Sequence, residues 1–348
     1  MTVMERRTFL RNSSLAAASL LLPNALRAQS PLEVRTNAEA LQNLEDKALT
    51  TIAFGSCNNT AKDLSYWSII QKDNPDLWIW MGDNIYADLT TLKQREARYN
   101  FLKTYPLYQD FRAKTAVIGT WDDHDYGFNN SSGTYWSREQ SQALFCDFMD
   151  IDKYAATRSQ DGVYQSYVFG PAGQRTEVIL LDLRYNMNNS LTHRELLGED
   201  QWRWFEDRMK STTADLLVIG SSLNVTSPVA LLGLEGWTGY PLEKQRLYDA
   251  LSMTDKPTVM LSGDRHFAEL YRVLLPSGKV IHEAMSSGLT HSTGAWLPHP
   301  GRISPMIGSK NYGVLKVDWT GTGPVINMQI KSCDSYGVLA EALTRYGA

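Results

Sequence analysis

From Thr51 onward the chain alternates short apolar runs with segments whose apolar residues recur at helical spacing. Thr51-Ile52-Ala53, Leu77–Met81, Ala116–Thr120, Leu216–Ile219 and Thr258–Leu261 are nearly continuous in apolar side chains, the pattern of strands buried on both faces. Leu64–Gln71, Leu92–Tyr105, Arg138–Met149 and Gly198–Lys210 read as helices. In the last, Trp202, Phe205 and Met209 recur at helical spacing while Gln201, Arg203 and Asp207 take other faces. Phe128–Trp136 reads as a loop, and Tyr164–Phe169 and Glu177–Leu183 as strands paired across Gly170-Pro171-Ala172-Gly173. After Asp264 the mode changes. Glu269–Leu275, Lys279–Met285, Tyr312–Trp319 and Pro324–Ile330 are strands joined by short Gly/Pro turns. A mixed beginning and a strand-rich end predict an α/β fold: a sandwich of two mixed β-sheets flanked by α-helices. No internal repeat, low-complexity tract or second-domain boundary interrupts the pattern.

Ahead of this region lies Glu5-Arg6-Arg7-Thr8-Phe9-Leu10-Arg11, a twin-arginine pattern, then the apolar stretch Leu15–Leu22 and a cleavage point after Ala28. The stretch is shorter than the roughly 20 residues a membrane-spanning helix needs, so no transmembrane segment is expected. Residues 1–28 are therefore expected to be a signal peptide read by the twin-arginine translocation machinery, which exports folded proteins. Residues 29–348 form the remaining domain, opening on a linker and a short helix before residue 48. The address is periplasmic or secreted. A net charge of −4 argues against a nucleic-acid-binding face. Cys57, Cys146 and Cys333 make an odd count, so at least one is a free thiol or a ligand; a Cys146–Cys333 bridge stays open.

Polar clusters sit at the carboxyl ends of four of the runs: Phe54-Gly55-Ser56-Cys57, Gly82-Asp83-Asn84-Ile85-Tyr86-Ala87-Asp88, Trp121-Asp122-Asp123-His124-Asp125-Tyr126-Gly127 and Ser262-Gly263-Asp264-Arg265-His266. Open α/β folds place their chemistry there. One cluster is compatible with a solvated turn; four with matching chemistry point to a metal site. Asp83, behind a glycine, suits an oxygen bridging two cations. Tyr86 can reach the same ion. A phenol yields its proton only to a strongly acidic metal, so Asp83, Tyr86 and Cys57 together favour Fe(III), the alternative for Tyr86 being a buried aromatic with a local hydrogen bond. Asp122 and Asp123 add carboxylates beside His124, and a further carboxylate orienting that imidazole would fit it for metal binding and leaving-group protonation. Asp264 and His266 share a face if extended, with Arg265 turned away or toward the rim. Arg184, in Leu181-Asp182-Leu183-Arg184-Tyr185, either meets a phosphate oxygen or is braced by Asp182. Asn84, Arg265 and His291 are candidate substrate contacts.

The ordered set GSC, GDNIYAD, TWDDHDYG, LLDLRY, the run Gly220–Ser227, EGWTGYPLEKQRLYDAL and LSGDRHFAE resembles the alkaline phosphatase D (PhoD-like) metallophosphoesterases over nearly all of the chain from Ile52. The resemblance implies a phosphoester hydrolase with a metal-bound hydroxide as nucleophile and His124 assisting the leaving group. It places Cys57, Asp83, Tyr86 and His266 around an Fe(III) site. Asp83, Asp123, Asp264 and Asn224 fall to a second, oxygen-rich site suited to Ca²⁺, with Mn²⁺, Mg²⁺ or Zn²⁺ as alternatives, and Asp122 is a further candidate metal ligand. Arg184 is expected on the phosphate. Two departures stand out: Asn224 replaces a more usual glutamine, and too few residues precede the GSC motif for the separate N-terminal β-domain many such enzymes carry. A phospholipase and a non-catalytic metal-binding envelope protein are the rival readings.

Overall fold

The computed structural model describes residues 36–190, 192–228, 235–294 and 298–346. Two six-stranded sheets carry the fold. The first runs, in spatial order, β14 (Val338–Arg345), β13 (Val325–Ser332), β12 (Asn311–Asp318), β1 (Thr51–Gly55), β2 (Leu77–Met81) and β3 (Ala116–Thr120). Its β1, β2 and β3 are parallel, and β12 joins β1 antiparallel. The second runs β10 (Ala268–Leu274), β11 (Val280–Ser286), β9 (Thr258–Ser262), β8 (Leu216–Ser221), β5 (Thr176–Leu180) and β4 (Gln165–Phe169). Here β11, β9, β8 and β5 are parallel, with β10 and β4 as antiparallel edges. A two-stranded ribbon of β6 (Asn188–Asn189) and β7 (Arg194–Glu195) lies apart.

The period-two pleat sorts each strand's side chains between layers. Leu77, Ile79 and Met81 of β2 join Leu216 and Val218 of β8 in the core between the sheets. Trp78 and Trp80 of β2 face the other way, against Trp67 of α2 (Trp67–Ile70), Tyr99 of α3 (Leu92–Thr104), Phe111 of α4 (Pro106–Arg112) and Phe145 of α6 (Arg138–Phe148). Leu217 and Ile219 of β8 meet Trp202 and Phe205 of α7 (Glu199–Ser211) and Leu247 of α8 (Pro241–Leu251). The result is the expected sandwich, with helices outside both sheets.

The pattern misses α4, α8 and β14. Proline opens both helices, where its missing N–H costs nothing because that position has no intrahelical acceptor. Strand β14 alternates half-buried and exposed residues at a sheet edge, too weak a signal to read. The helix expected over Leu64–Gln71 is shorter, because Asp63 captures the backbone N–H and hydroxyl of Ser65 in a local turn. The short helix before residue 48 is present as α1 (Asn37–Gln42), capped by Thr36 and Glu39. The expected signal peptide lies outside the described residues. Cys57, Cys146 and Cys333 are all free and buried, so no Cys146–Cys333 bridge forms.

Candidate metal centre

The parallel strands deliver their carboxyl ends to one rim. Cys57 follows β1, Asp83 follows β2, Asp122–His124 follow β3, Arg184 follows β5, Ser222 follows β8 and Asp264–His266 follow β9. Hydrogen bonds lace these ends together: Asn58 N–H to the Asp83 carbonyl at 2.8 Å, Thr120 Oγ1 to Leu181 O at 2.8 Å across the sheets, and Gly263 N–H to Ser222 O at 3.0 Å. The backbone is left-handed at Cys57 (φ 62°), Asp83 (50°), Asp264 (70°) and His266 (58°). Each such residue costs about 1–3 kcal/mol, strain that concentrates at functional sites. It also corrects the extended Asp264–His266 reading: the segment turns, so the two side chains are aimed separately. Gly82 has φ 90°, and a Cβ there would lie 2.5 Å from Asp122 Cβ. Only glycine lets the ends of β2 and β3 approach so closely.

Ligand atoms of Asp83, Asp123 and His124 lie within 4.8 Å of one another, and so do those of Asp122, Asp123 and Asp264. The two triads share Asp123. Asp83 Oδ2 accepts from the Tyr86 hydroxyl at 3.2 Å and the Cys57 thiol at 3.5 Å. Among the described residues, its Oδ1 is buried without a partner, as are Asp122 Oδ2 and His266 Nδ1. Such orphaned atoms normally cost about 1–3 kcal/mol each, so three around one cluster of carboxylates match a site built for cations. The donors present (thiol, phenol, imidazole and four carboxylates) fit metal ions chemically.

His124 is held from behind. Its Nδ1 meets Asp88 at 2.7 Å, and its ring stacks on Tyr86 with centroids 4.1 Å apart. The orienting carboxylate is thus Asp88, not a neighbour within the Asp122–Asp125 cluster. Asp125 instead accepts the backbone N–H groups of Ile85 (3.0 Å) and Asp122 (3.1 Å) and fixes the loop. His266 and His291 pack with centroids 4.3 Å apart, and His291 also lies edge-on to Tyr86. Arg184 is fully buried. Its Nε donates to Asp122 at 2.5 Å, its Nη1 lies 2.8 Å from Glu235, and its Nη2 is 3.9 Å from Asp123. Asp182 accepts the backbone N–H of Arg184 and not the guanidinium. Ser222 donates to Asp122 at 2.9 Å. Arg265 pairs with Asp264 at 3.1 Å. Asn84 donates to Thr120 O at 3.1 Å and leaves its buried Oδ1 unbonded.

Asn224 is spent elsewhere. Its amide donates to Glu283 at 2.8 Å and its oxygen accepts from Ser227 N–H at 2.6 Å, so the side chain is fixed by β11 and its own loop, with one lone pair of the oxygen left over. Sequence reasoning missed Asp88, Glu235 and Ser222. Asp88 stands in the GDNIYAD motif, but nothing in the chain links it to a histidine 36 residues on.

The electrostatics describe a crowd of acids. Burial and the surrounding carboxylates hold Asp83 well above the usual carboxylate range, and Asp264 is pushed up to about 6. Burial also raises the Asp123 carboxyl, but the Arg184 and His124 charges outweigh it and hold the group low. Burial, then the Asp83 charge, pushes the Cys57 thiol up. His124 moves upward, since Asp88 and Asp123 prevail over burial. His266 drops to about 4 through burial and its imidazole neighbours. Bound cations reverse this logic, favouring thiolate, phenolate and carboxylate together.

The family model for PhoD-like phosphatases matches residues 52–298. The chain belongs to that family. Among curated relatives, alkaline phosphatase D of Bacillus subtilis (strain 168) is 21% identical over 266 residues, covering 62% of this chain. The chain spans 46% of that relative, a little under half its length. The solved structure of PhoD superposes with a TM-score of 0.69 at 17% identity, over 86% of this chain and 69% of that one. Purple acid phosphatase PPD1 from yellow lupin (Lupinus luteus) seeds gives 0.61 at 10% identity, over 85% and 53%. GAP50, the anchor in the inner membrane complex of Plasmodium, gives 0.52 at 12% identity, over 85% and 88%. These structural likenesses concern the fold.

Proposed function

We propose that the chain is an exported, metal-dependent phosphoester hydrolase that takes phosphodiesters or phosphomonoesters. The observation that carries this reading is the convergence of two ligand triads on Asp123, with unbonded buried oxygens on Asp83 and Asp122. Cys57, Tyr86, Asp83 and His266 would hold Fe(III); Asp83, Asp122, Asp123 and Asp264 would hold Ca²⁺, with Mn²⁺, Mg²⁺ or Zn²⁺ as alternatives. When bound, the cations supply Lewis acidity toward the phosphate oxygens and a water of lowered pKa.

The chain's own residues do the rest. Asp88 fixes the His124 tautomer, leaving Nε2 to carry a proton for the departing alkoxide. Arg184 neutralises Asp122 and Asp123, so that several carboxylates can face one substrate phosphate without repelling it. Arg265 and His291 would contact the substrate at the rim, with Asn84, buried and donating its amide to Thr120 O, behind them. Export rests on the twin-arginine pattern at residues 5–11, with residues 1–28 as its signal peptide and 29–348 as one domain. Among the described residues, no helix is long and apolar enough to cross a membrane.

Metal analysis, with aryl phosphate mono- and diesters as substrates, tests the proposal. A phenolate and a thiolate on Fe(III) give charge-transfer absorption, so the pure protein should be coloured. Tyr86→Phe keeps the ring but removes that oxygen, and the band should shift or fade. Colourless, fully active protein carrying zinc in both sites would contradict the iron assignment.

A further inference from the structure

A separate cavity, of about 960 Å³, opens at the opposite end of β9 from Asp264, where residues of edge strands β10 and β14 line one groove. Lys256, Arg272, Lys279 and Arg345 line it, against a single acid, Asp255. This concentration of cations stands out in a chain of net charge −4. Two further groups border it. Lys279 donates to the carbonyls of Leu251 (2.9 Å) and Thr254 (2.8 Å), and burial pulls its ammonium down to about 8. His282 Nδ1 meets the Tyr346 hydroxyl at 2.9 Å, and burial keeps this imidazole neutral. The side chains of Lys256, Arg272 and Arg345 make no ion pair or hydrogen bond among the described residues, although Arg345 comes close enough to Asp318 to lower its carboxyl.

We propose that this groove binds a small polyvalent anion carrying two or more phosphate-type groups. Two guanidinium forks from different sheets, with an ammonium between helix α8 and β9, suit tetrahedral oxyanions, which arginine grips in bidentate fashion. The volume falls in the range of about 300–1,000 Å³ typical of small-ligand sites, larger than one phosphate requires. The groove lies beyond the amino end of β9, so its ligand is independent of the strand-end cluster.

The test is isothermal titration of the full, metal-loaded protein with methylenediphosphonate, which resists hydrolysis. Saturable binding is expected, and it should persist in Asp83→Asn, which impairs the strand-end cluster. Arg272→Ala with Arg345→Ala should weaken it about 100-fold, about tenfold for each guanidinium removed from the anion. Both guanidinium groups are exposed and make no ion pair among the described residues, so the double variant should keep its melting temperature. The double lysine variant should restore part of the affinity. No saturable binding, disappearance of all binding in Asp83→Asn, or unchanged affinity in the double alanine variant would each overturn the proposal.

Discussion

His124 owes its place to Asp88. The imidazole is half-buried between that carboxylate and the Tyr86 ring, and Asp88 is itself pinned by Asn129 N–H at 2.7 Å. If His124 protonates the leaving group, His124→Ala should lower turnover by about 10²–10⁴-fold, the usual worth of general acid–base assistance. Asp88→Asn keeps the shape but loses the charge, and should cost about 10–100-fold, as partners of site residues commonly do. Steady-state kinetics on paired aryl and alkyl esters would check both. Alkyl esters, whose leaving groups need the proton more, should suffer more. Equal losses on both would mean that the pair orients phosphate instead. The motif around Asp83 was legible as chemistry because glycine, acid and tyrosine follow an apolar run. The partnership of Asp88 with His124 was not, since it depends on how two loops meet. Asn224 shows the converse: a polar residue at a strand end reads as a ligand, and nothing along the chain signals that Glu283, from β11, engages its amide.

Strands β1, β2 and β3 set the rim, and their entry points are as carefully fixed as their ends. Asp76, just before β2, accepts the Lys47 ammonium at 2.5 Å and the backbone N–H groups of Thr50 (2.8 Å) and Thr51 (3.0 Å), tying the start of β1 to β2. Burial opposes the charge, but Lys47 and the two N–H groups prevail and hold the carboxyl below its ordinary value. A depressed folded-state pKa stabilises fully above the unfolded value of about 3.9 and is lost as pH falls through the folded one. Asp76→Asn should therefore cost about 1 kcal/mol near neutrality, discounted for the exposed lysine. The deficit should shrink below about pH 4. Denaturant melts at pH 7 and pH 3 would show it, and an equal deficit at both would remove the ionic clamp. The strands were readable because parallel strands buried on both faces are continuous apolar runs. The helix starts at Pro106 and Pro241 were not, because the proline that opens each one reads equally well as a turn or a helix stop. Around α5 (Asp123–Tyr126), buried Arg95 from α3 hydrogen-bonds the carbonyls of Tyr126 (2.5 Å) and Gly127 (2.7 Å), so a helix on the outer face steadies the loop that carries His124.

For the molecule as a whole, the sandwich gathers the ends of its parallel strands at one rim and leaves the cationic groove at the other. Export is testable without any substrate. Arg6→Lys with Arg7→Lys should hold the precursor in the cytoplasm of its host, followed by fractionation and immunoblotting, whereas normal export of the double variant would end the twin-arginine reading. The fold class was legible in the sequence because the switch from alternating strands and helices to strands alone falls after Asp264, where β10 to β14 begin. The hydrolytic reading depends on cations at the shared Asp123 cluster, and bis(4-nitrophenyl) phosphate turnover during metal removal and return tests this most directly. Chelation should abolish turnover, metal return should restore it, and Asp83→Asn should stay inactive throughout. Full turnover by chelated protein shown to be metal-free would contradict the account.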